Sequence, residues 1–357
     1  MSAETAAAGP APGAPGVTAD TRRLSWRALL RWETALVVVL LVTLVFGGAE
    51  SSAFLTTTTI FYTGLNIGQI AIMALPLTLI VIAGEIDLSV AAMLGLAATV
   101  FGYAFAHGIN VYVAMLIALA VGATGGALNG FLVTRLGLPS IAVTIGTLTM
   151  FRGIAEVILG QNEATGFPGS LTKIGVMPIP GTKLAYTFGF FLVLAVIYGV
   201  VLHMTPIGRS LYAIGLNKET AFFSGIRVTR IKFLLYLLSG VVCAFVGILY
   251  SLQNDAARYD AGSGLELNVV AVVLFGGVSI FGGRGTIVGV VLSVLIVGAF
   301  TEALTLINVS AEEQNITFGV LLLISVLVPN GADGYNRLRR RLRRRGGGVA
   351  VQPSIPP

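Results

Sequence analysis

The sequence predicts an all-α, polytopic membrane protein of about ten transmembrane helices with both ends in the cytoplasm. Three observations carry this. Of the 357 residues, 55% are hydrophobic and only 11% are charged, whereas soluble domains carry about 25% charged residues. Apolar runs recur that are long enough to span about 30 Å of hydrocarbon. The basic residues collect between alternate runs, the pattern that positive-inside insertion produces. The 45 glycines suit membrane helices whose backbones approach closely. The single cysteine, Cys243, rules out an intramolecular disulfide and reads as a small packing residue. A net charge of +6 does not indicate a nucleic-acid partner, because the basic residues fall at membrane edges rather than on one face.

Residues 1–21 are rich in Ala, Pro and Gly without periodicity and read as a disordered tail. They do not form a cleavable signal peptide, since Arg22, Arg23, Arg27 and Arg31 come only after them. The membrane-embedded body is drawn over residues 22–330. Its first run, Thr34 to Gly47, is short and extends back past Trp26 and Trp32, which suit an interface. The second is Ile60 to Ala83, with Pro76 inside; the third Leu88 to Ala106; the fourth Val111 to Thr134; the fifth Ile141 to Leu159. A turn-rich polar stretch from Gln161 to Lys183 leads to the sixth run, Leu184 to Leu202. After a polar island at residues 203–232 come Phe233 to Leu252, Leu267 to Ile280, Thr286 to Leu306 and Ile316 to Val328. The eighth, Leu267 to Ile280, is too short to cross as drawn; it starts earlier or enters partway. Residues 331–357 form a basic cytoplasmic tail holding Arg337, Arg339, Arg340, Arg341, Arg343, Arg344 and Arg345. Of the 22 lysines and arginines, only Lys173, Lys183 and Arg258 fall in the outside segments of this scheme, and Arg152 lies within the fifth span. The asymmetry places both ends inside.

Polar residues that interrupt apolar sequence are the candidates for function. Gly84-Glu85-Ile86-Asp87-Leu88-Ser89 sets two carboxylates between the second and third spans. Asp87 is read as part of a tight cytoplasmic turn in which it or Ser89 caps the third helix. The alternative for Glu85 is an ion pair with a basic group on a neighbouring element. Arg152 and Glu156 stand four apart on the fifth span, a spacing that lets them neutralise each other on one helix face. They also suit the wall of a translocation path, as do Asn66, Gln69 and Asn129; Glu266, Asn268, Glu302, Gln314 and Asn315 are further polar residues at or inside spans. For most of these the plainer reading is interhelical hydrogen bonding.

The glycine-rich stretch Gly276 to Gly285 has no Lys followed by Ser or Thr, so it is not a phosphate-binding loop. It reads as a bent helix end and a turn, and it echoes the apolar span, glycine turn and second apolar span around Gly84, a hint of internal repetition. His107 and His203 are the only histidines and lie far apart, so no metal-ligand cluster and no catalytic arrangement stands out. The polar island carries Arg209, Lys218, Arg227, Arg230 and Lys232 against one acid, Glu219, and opens with Pro206 and Gly208. Its middle, Arg209 to Phe223, suits a short amphipathic helix. From the residues alone it is either a loop lying on lipid headgroups or a docking element.

Three stretches together resemble the branched-superfamily permeases of bacterial ABC importers, the ribose/galactose/xylose type. They are GEIDLSVAAMLGLAA (Gly84 to Ala98), GRSLYAIGLNKETAFFSGI (Gly208 to Ile226) and ELNVVAVVLFGGVSIFGGRGTIVGVV (Glu266 to Val291). The resemblance covers roughly residues 34–329. It implies that Gly208 to Ile226 is a coupling helix seated in a groove of an ATPase subunit, with Gly208, Arg209, Ala213, Gly215, Asn217, Glu219, Ala221, Ser224 and Gly225 as coupling residues. Gly84, Glu85, Asp87 and Ser89 then form a gating turn. It further implies a second permease copy, identical or different, two ATP-binding subunits that hold ATP and Mg, and an extracytoplasmic sugar-binding protein. No cofactor is expected on this chain, and the membrane is a bacterial inner membrane. Glu85 departs from the pattern, since many relatives carry glycine there. GEIDLS is similar to the rhamnose-type branch, with autoinducer-2 permeases as near relatives. The competing reading is an ion-coupled secondary transporter. That would need mid-span carboxylates, and the candidates, Glu156 and Glu302, lie toward span ends. A passive channel would need a repeated constriction motif, which is absent from the sequence.

Overall fold

The computed structural model describes residues 26–320, together with Leu323 and Leu327. The tail predicted at residues 1–21, the arginine cluster and most of the predicted tenth span lie outside the described residues. Helix α1 runs Trp26–Glu50, α2 Thr57–Ile82, α3 Val90–Ala106, α4 Val111–Thr134 and α5 Ser140–Leu159. The polar stretch that follows holds a strand, β1 (Ala164–Thr165), and a short helix, α6 (Gly169–Val176). Then come α7 (Tyr186–Met204), α8 (Pro206–Leu216), α9 (Lys218–Phe223), α10 (Val228–Asn254), β2 (Ala256–Ala257), α11 (Leu265–Phe275) and α12 (Ile287–Leu306). Residues 311–320 are helical as well.

Seven of these helices are long and apolar enough to cross a membrane: α1, α2, α4, α5, α7, α10 and α12. Helix α3 has 17 residues, about 25 Å at 1.5 Å per residue. Helix α11 has 11 and reaches about halfway, ending where Gly276 and Gly277 turn the chain. The eighth run thus starts two residues earlier than drawn, at Leu265, and remains too short to cross.

Helix α2 is the axis of the bundle. In its most apolar window 94% of the residues are buried, and α7, α10, α11 and α12 pack around it. Helix α10 lies between α2, α3 and α4. Its contact with α4 is backbone to backbone: a Cβ on Gly122, Gly126 or Gly130 would strike Gly240, Tyr236 or Phe233 respectively. Small residues every fourth position allow this approach, and dispersion is what membrane helices gain from it. On the opposite edge α1 packs against α12. The strands β1 and β2 pair antiparallel, Ala164 with Ala257 and Thr165 with Ala256, and tie the polar loop to the end of α10.

Candidate functional site

Two regions gather the polar residues, one at each end of the bundle. The first is built on the turn between α2 and α3. Gly84 adopts φ +78°, a conformation that costs glycine least, and the chain then runs extended into Ser89. Glu85 does find a basic partner: Lys232 Nζ donates to its Oε1 at 2.5 Å, with side-chain exposures of 6% and 16%. The pair is buried between the turn and the first turns of α10. Lys232 is therefore not part of a solvated basic loop; α10 begins at Val228, five residues before the predicted start, and carries it inward.

Asp87 lies in the turn before α3 as expected, but as a buried group, and no side chain caps α3. It is 3% exposed. Its Oδ1 accepts from the backbone N–H of Ser89 at 2.9 Å and from the Ser89 hydroxyl at 2.6 Å; its Oδ2 accepts from the Ser239 hydroxyl of α10 at 3.3 Å. Ser89 itself makes no side-chain cap, because its hydroxyl is spent on Asp87 and on Asn129, whose Nδ2 donates to it at 2.8 Å. Asn129 thus belongs to this buried network. Burial pushes the Asp87 carboxyl above its ordinary range despite the bonds from Ser89 and Ser239. Ser239 was not singled out from the sequence, where it is one serine among apolar residues.

The island folds as two helices, not one. Asn217 breaks it in an extended conformation and caps α9, accepting the Thr220 N–H at 2.9 Å. At the other end Gly225 (φ +82°) closes α9: Gly225 N–H bonds Phe222 O and Ile226 N–H bonds Ala221 O, the paired pattern of a Schellman motif. Gly208, Leu211, Ile214 and Ala221 face inward, whereas Arg209, Asn217, Glu219, Ser224 and Gly225 are exposed. Ala213 is half-buried. Leu216, Phe222 and Phe223 are 70%, 64% and 85% exposed, an apolar patch beside the charges.

The three quoted sequence stretches meet at one point. A Cβ on Gly215 of α8 would overlap Ile82 O at the end of α2 and the backbone nitrogen of Gly283. Gly283 N–H donates to Ile82 O at 2.8 Å, and a Cβ on Gly282 would stand 2.9 Å from Gly84 Cα. Tyr212 fastens the same junction, its hydroxyl donating to Gly285 O at 2.7 Å; burial raises that hydroxyl to about 12. The two glycine turns that echo each other in sequence are therefore in contact, with α8 between them.

The second region lies at the other end. Arg152 does not pair with Glu156. It reaches across to the loop before α11, where Nη1 donates to Ala261 O at 2.6 Å and Tyr259 O at 3.4 Å. Glu156 is exposed on the outer face of α5. The i,i+4 spacing put both on one helix, but the burial gradient across α5 turned them apart. Arg152 Nη2 and Glu266 Oε2 are buried without hydrogen-bond partners among the described residues, and Glu266 is near enough to act on Arg152 electrostatically. Gln69 is buried and donates to Gln253 Oε1 at 2.7 Å; Asn66 is exposed. Nearby, Arg258 grips Asp260 at 3.0 and 3.2 Å and holds its carboxyl below the ordinary range. Among the described residues no group of His, Cys, Asp and Glu is placed to hold a metal ion.

Apolar helices packed around a central one, with an exposed pair of short helices at one end and buried polar groups at the other, make the frame of a membrane transport protein, and the chain belongs to the family described as branched-chain amino acid transport system / permease component, whose profile matches residues 59–326. It is a multi-pass protein of the cytoplasmic membrane and a transport subunit, not an enzyme. It is similar to the ribose import permease protein RbsC of Bacillus subtilis, 34% identical over 271 residues, which cover 73% of this chain and 82% of that one. It is also similar to the autoinducer 2 import system permease protein LsrD of Photorhabdus temperata, 29% identical over 326 residues, or 88% of this chain and 96% of that one. The protein of the same name from Escherichia coli K12 is 30% identical over 322 residues, again 88% and 96%. No solved structure matches the chain.

Proposed function

We propose that this chain is the translocation subunit of an ATP-driven importer for a sugar or sugar-like solute. The observation that supports this most is the junction of Gly84, Gly215 and Gly283. A push on α8 meets main chain at Gly215 and passes directly to the ends of α2 and of the turn before α12. In this reading α8 and α9 are the coupling element. Arg209, Glu219 and the exposed Leu216, Phe222 and Phe223 form the surface that seats in the ATPase, which binds ATP and Mg. Gly84, Glu85, Asp87 and Ser89 are the gating turn.

The solute is monosaccharide-like, as the names of the relatives suggest. Ribose, rhamnose and autoinducer-2 are the ligands to test first, and a separate binding protein delivers them. Arg152, Glu266 and Gln69 face the solute, because Arg152 and Glu266 each keep a polar atom without a partner among the described residues, and buried polar atoms are rarely left so. The bundle has about ten crossing or part-crossing helices with both ends inside, counting α3, α11 and the helix that begins at residue 311. A second permease copy covers the face of α5, where Glu156 stands exposed among Ile141, Ile145, Ile154 and Val157; a carboxylate favours protein or water over acyl chains.

The test is purification of the tagged permease from gently solubilised membranes. An ATPase should copurify and should be lost when Leu216, Phe222 and Phe223 are changed together to serine. Uptake should survive an ionophore while ATP is held constant. Purification of the permease without any ATPase, with uptake abolished by the ionophore, would overturn the proposal in favour of ion coupling.

A further inference from the structure

The close contact of α4 and α10 ends at Gly130 and Phe233, and beyond it the helices part. They leave a cleft of about 620 Å³ lined by Phe131, Arg135, Thr229, Arg230, Phe233 and Leu234. Its chemistry is divided. Phe131, Leu234 and the half-buried Phe233 form an apolar wall, with Phe131 and Leu234 48% and 53% exposed. Arg135 at the C-terminal cap of α4 and Arg230 in the first turn of α10 are both exposed. Among the described residues neither guanidinium has an ion-pair or hydrogen-bond partner, unlike Lys232 two residues on, which is taken by Glu85. Thr229 adds a hydroxyl between them.

We propose that this cleft binds an anionic phospholipid of the inner leaflet, its phosphate held by Arg135 and Arg230 and its acyl chains laid along Phe131 and Leu234. Three features support a lipid over a soluble anion. Both helices are membrane-spanning, so the cleft opens at the level where headgroups lie. A planar guanidinium matches two phosphate oxygens at once, and two of them suit a phosphodiester. Leu128 and Leu238, about one turn further along α4 and α10, are exposed as well and extend the apolar wall, and a free phosphate would have no use for it. The binding site is lined by α4 and α10 and uses none of the coupling residues, so its failure would leave the importer reading standing.

Native mass spectrometry of the detergent-purified, full-length permease, titrated with phosphatidylglycerol or with phosphatidylcholine, tests this. Wild type should retain phosphatidylglycerol in preference to phosphatidylcholine, and millimolar inorganic phosphate should not displace it. Each arginine near a membrane surface contributes about a fivefold gain in affinity for anionic lipid. R135Q and R230Q should each weaken phosphatidylglycerol binding about fivefold, and the double variant roughly 25-fold, with phosphatidylcholine unchanged. Both side chains are exposed, so folding should be intact; if the double variant does not fold, the single variants carry the same comparison. R135K/R230K should recover part of the loss. Equal retention of the two lipids by wild type, or unchanged binding in the glutamine variants, would overturn the proposal. Displacement by inorganic phosphate would overturn it too, since the site would then be one for a soluble anion.

Discussion

Glu85 and Lys232 lie 147 residues apart and meet at 2.5 Å in the interior. Taking two charges out of water is costly, and their attraction only offsets it when the geometry is good. Removing one partner is the severe change. Glu85→Gln leaves a buried ammonium without its counter-charge and should cost about 3–5 kcal/mol, read as a lowered melting temperature in detergent. The double variant Glu85→Gln with Lys232→Met should recover much of it. A single variant as stable as the wild type would show that water reaches the pair.

Asp87 carries a different prediction. Its folded-state value is raised by burial, so the native protein binds this proton more tightly than the unfolded chain does. The stability tied to it is complete below about pH 4 and is lost as pH rises through the folded value. Asp87→Asn keeps the acceptor for Ser89 but cannot ionise, and should flatten the thermal-stability profile above about pH 4. A profile identical to the wild type's would mean that the carboxyl is not the group responsible. From the sequence, Glu85 was legible as an ion-pair candidate because a charge beside apolar runs needs a partner. Burial of Asp87 was not, since a turn of the same composition is usually solvated.

Among the elements, α4 and α10 show how little room the bundle leaves. Gly126→Leu drives a side chain into the backbone of Tyr236. Overpacking costs about 1–3 kcal/mol where neighbours can shift, and here the neighbour is main chain, so the loss should be at the upper end or beyond. Expression and melting temperature read it. Gly169→Leu, in the exposed first turn of α6 with nothing within 4 Å of its Cβ position, should be nearly neutral and serves as the control.

The elements were largely legible because apolar run length is a strong signal. The failures were at the ends. The start of α10 was hidden by Arg227, Arg230 and Lys232, which look like loop until Lys232 is seen to be buried. The break at Asn217 was hidden because asparagine is a cap only when the backbone on its far side leaves the helix. The orientation of Arg152 was not legible at all: its acceptors are two carbonyls, Tyr259 O and Ala261 O, and carbonyls have no sequence signature.

For the whole molecule, orientation can be read chemically. Cys243 is the single cysteine and is fully buried, so the wild type should be silent toward maleimides. Thr182→Cys, in the loop after α6, should react with a membrane-impermeant maleimide in intact cells. Ser224→Cys, after α9, should react only once the membrane is opened. The reverse pattern would place α8 and α9 outside and exclude their contact with any cytoplasmic ATPase.

The most apolar window of helix α2 has a mean hydropathy of 2.1, yet 94% of it is buried by its own chain. Nothing in the finished bundle asks it to be soluble in oil; its neighbours ask only that it fit. The requirement belongs to biogenesis. When α2 leaves the ribosome, α7, α10, α11 and α12 have not yet been made, and the insertion machinery judges the segment on its own apolarity. Its side chains therefore answer to two solvents in succession, first acyl chains and then protein. A polar lesion in α2 should show itself as a span that fails to enter the bilayer, before there is any transporter to destabilise.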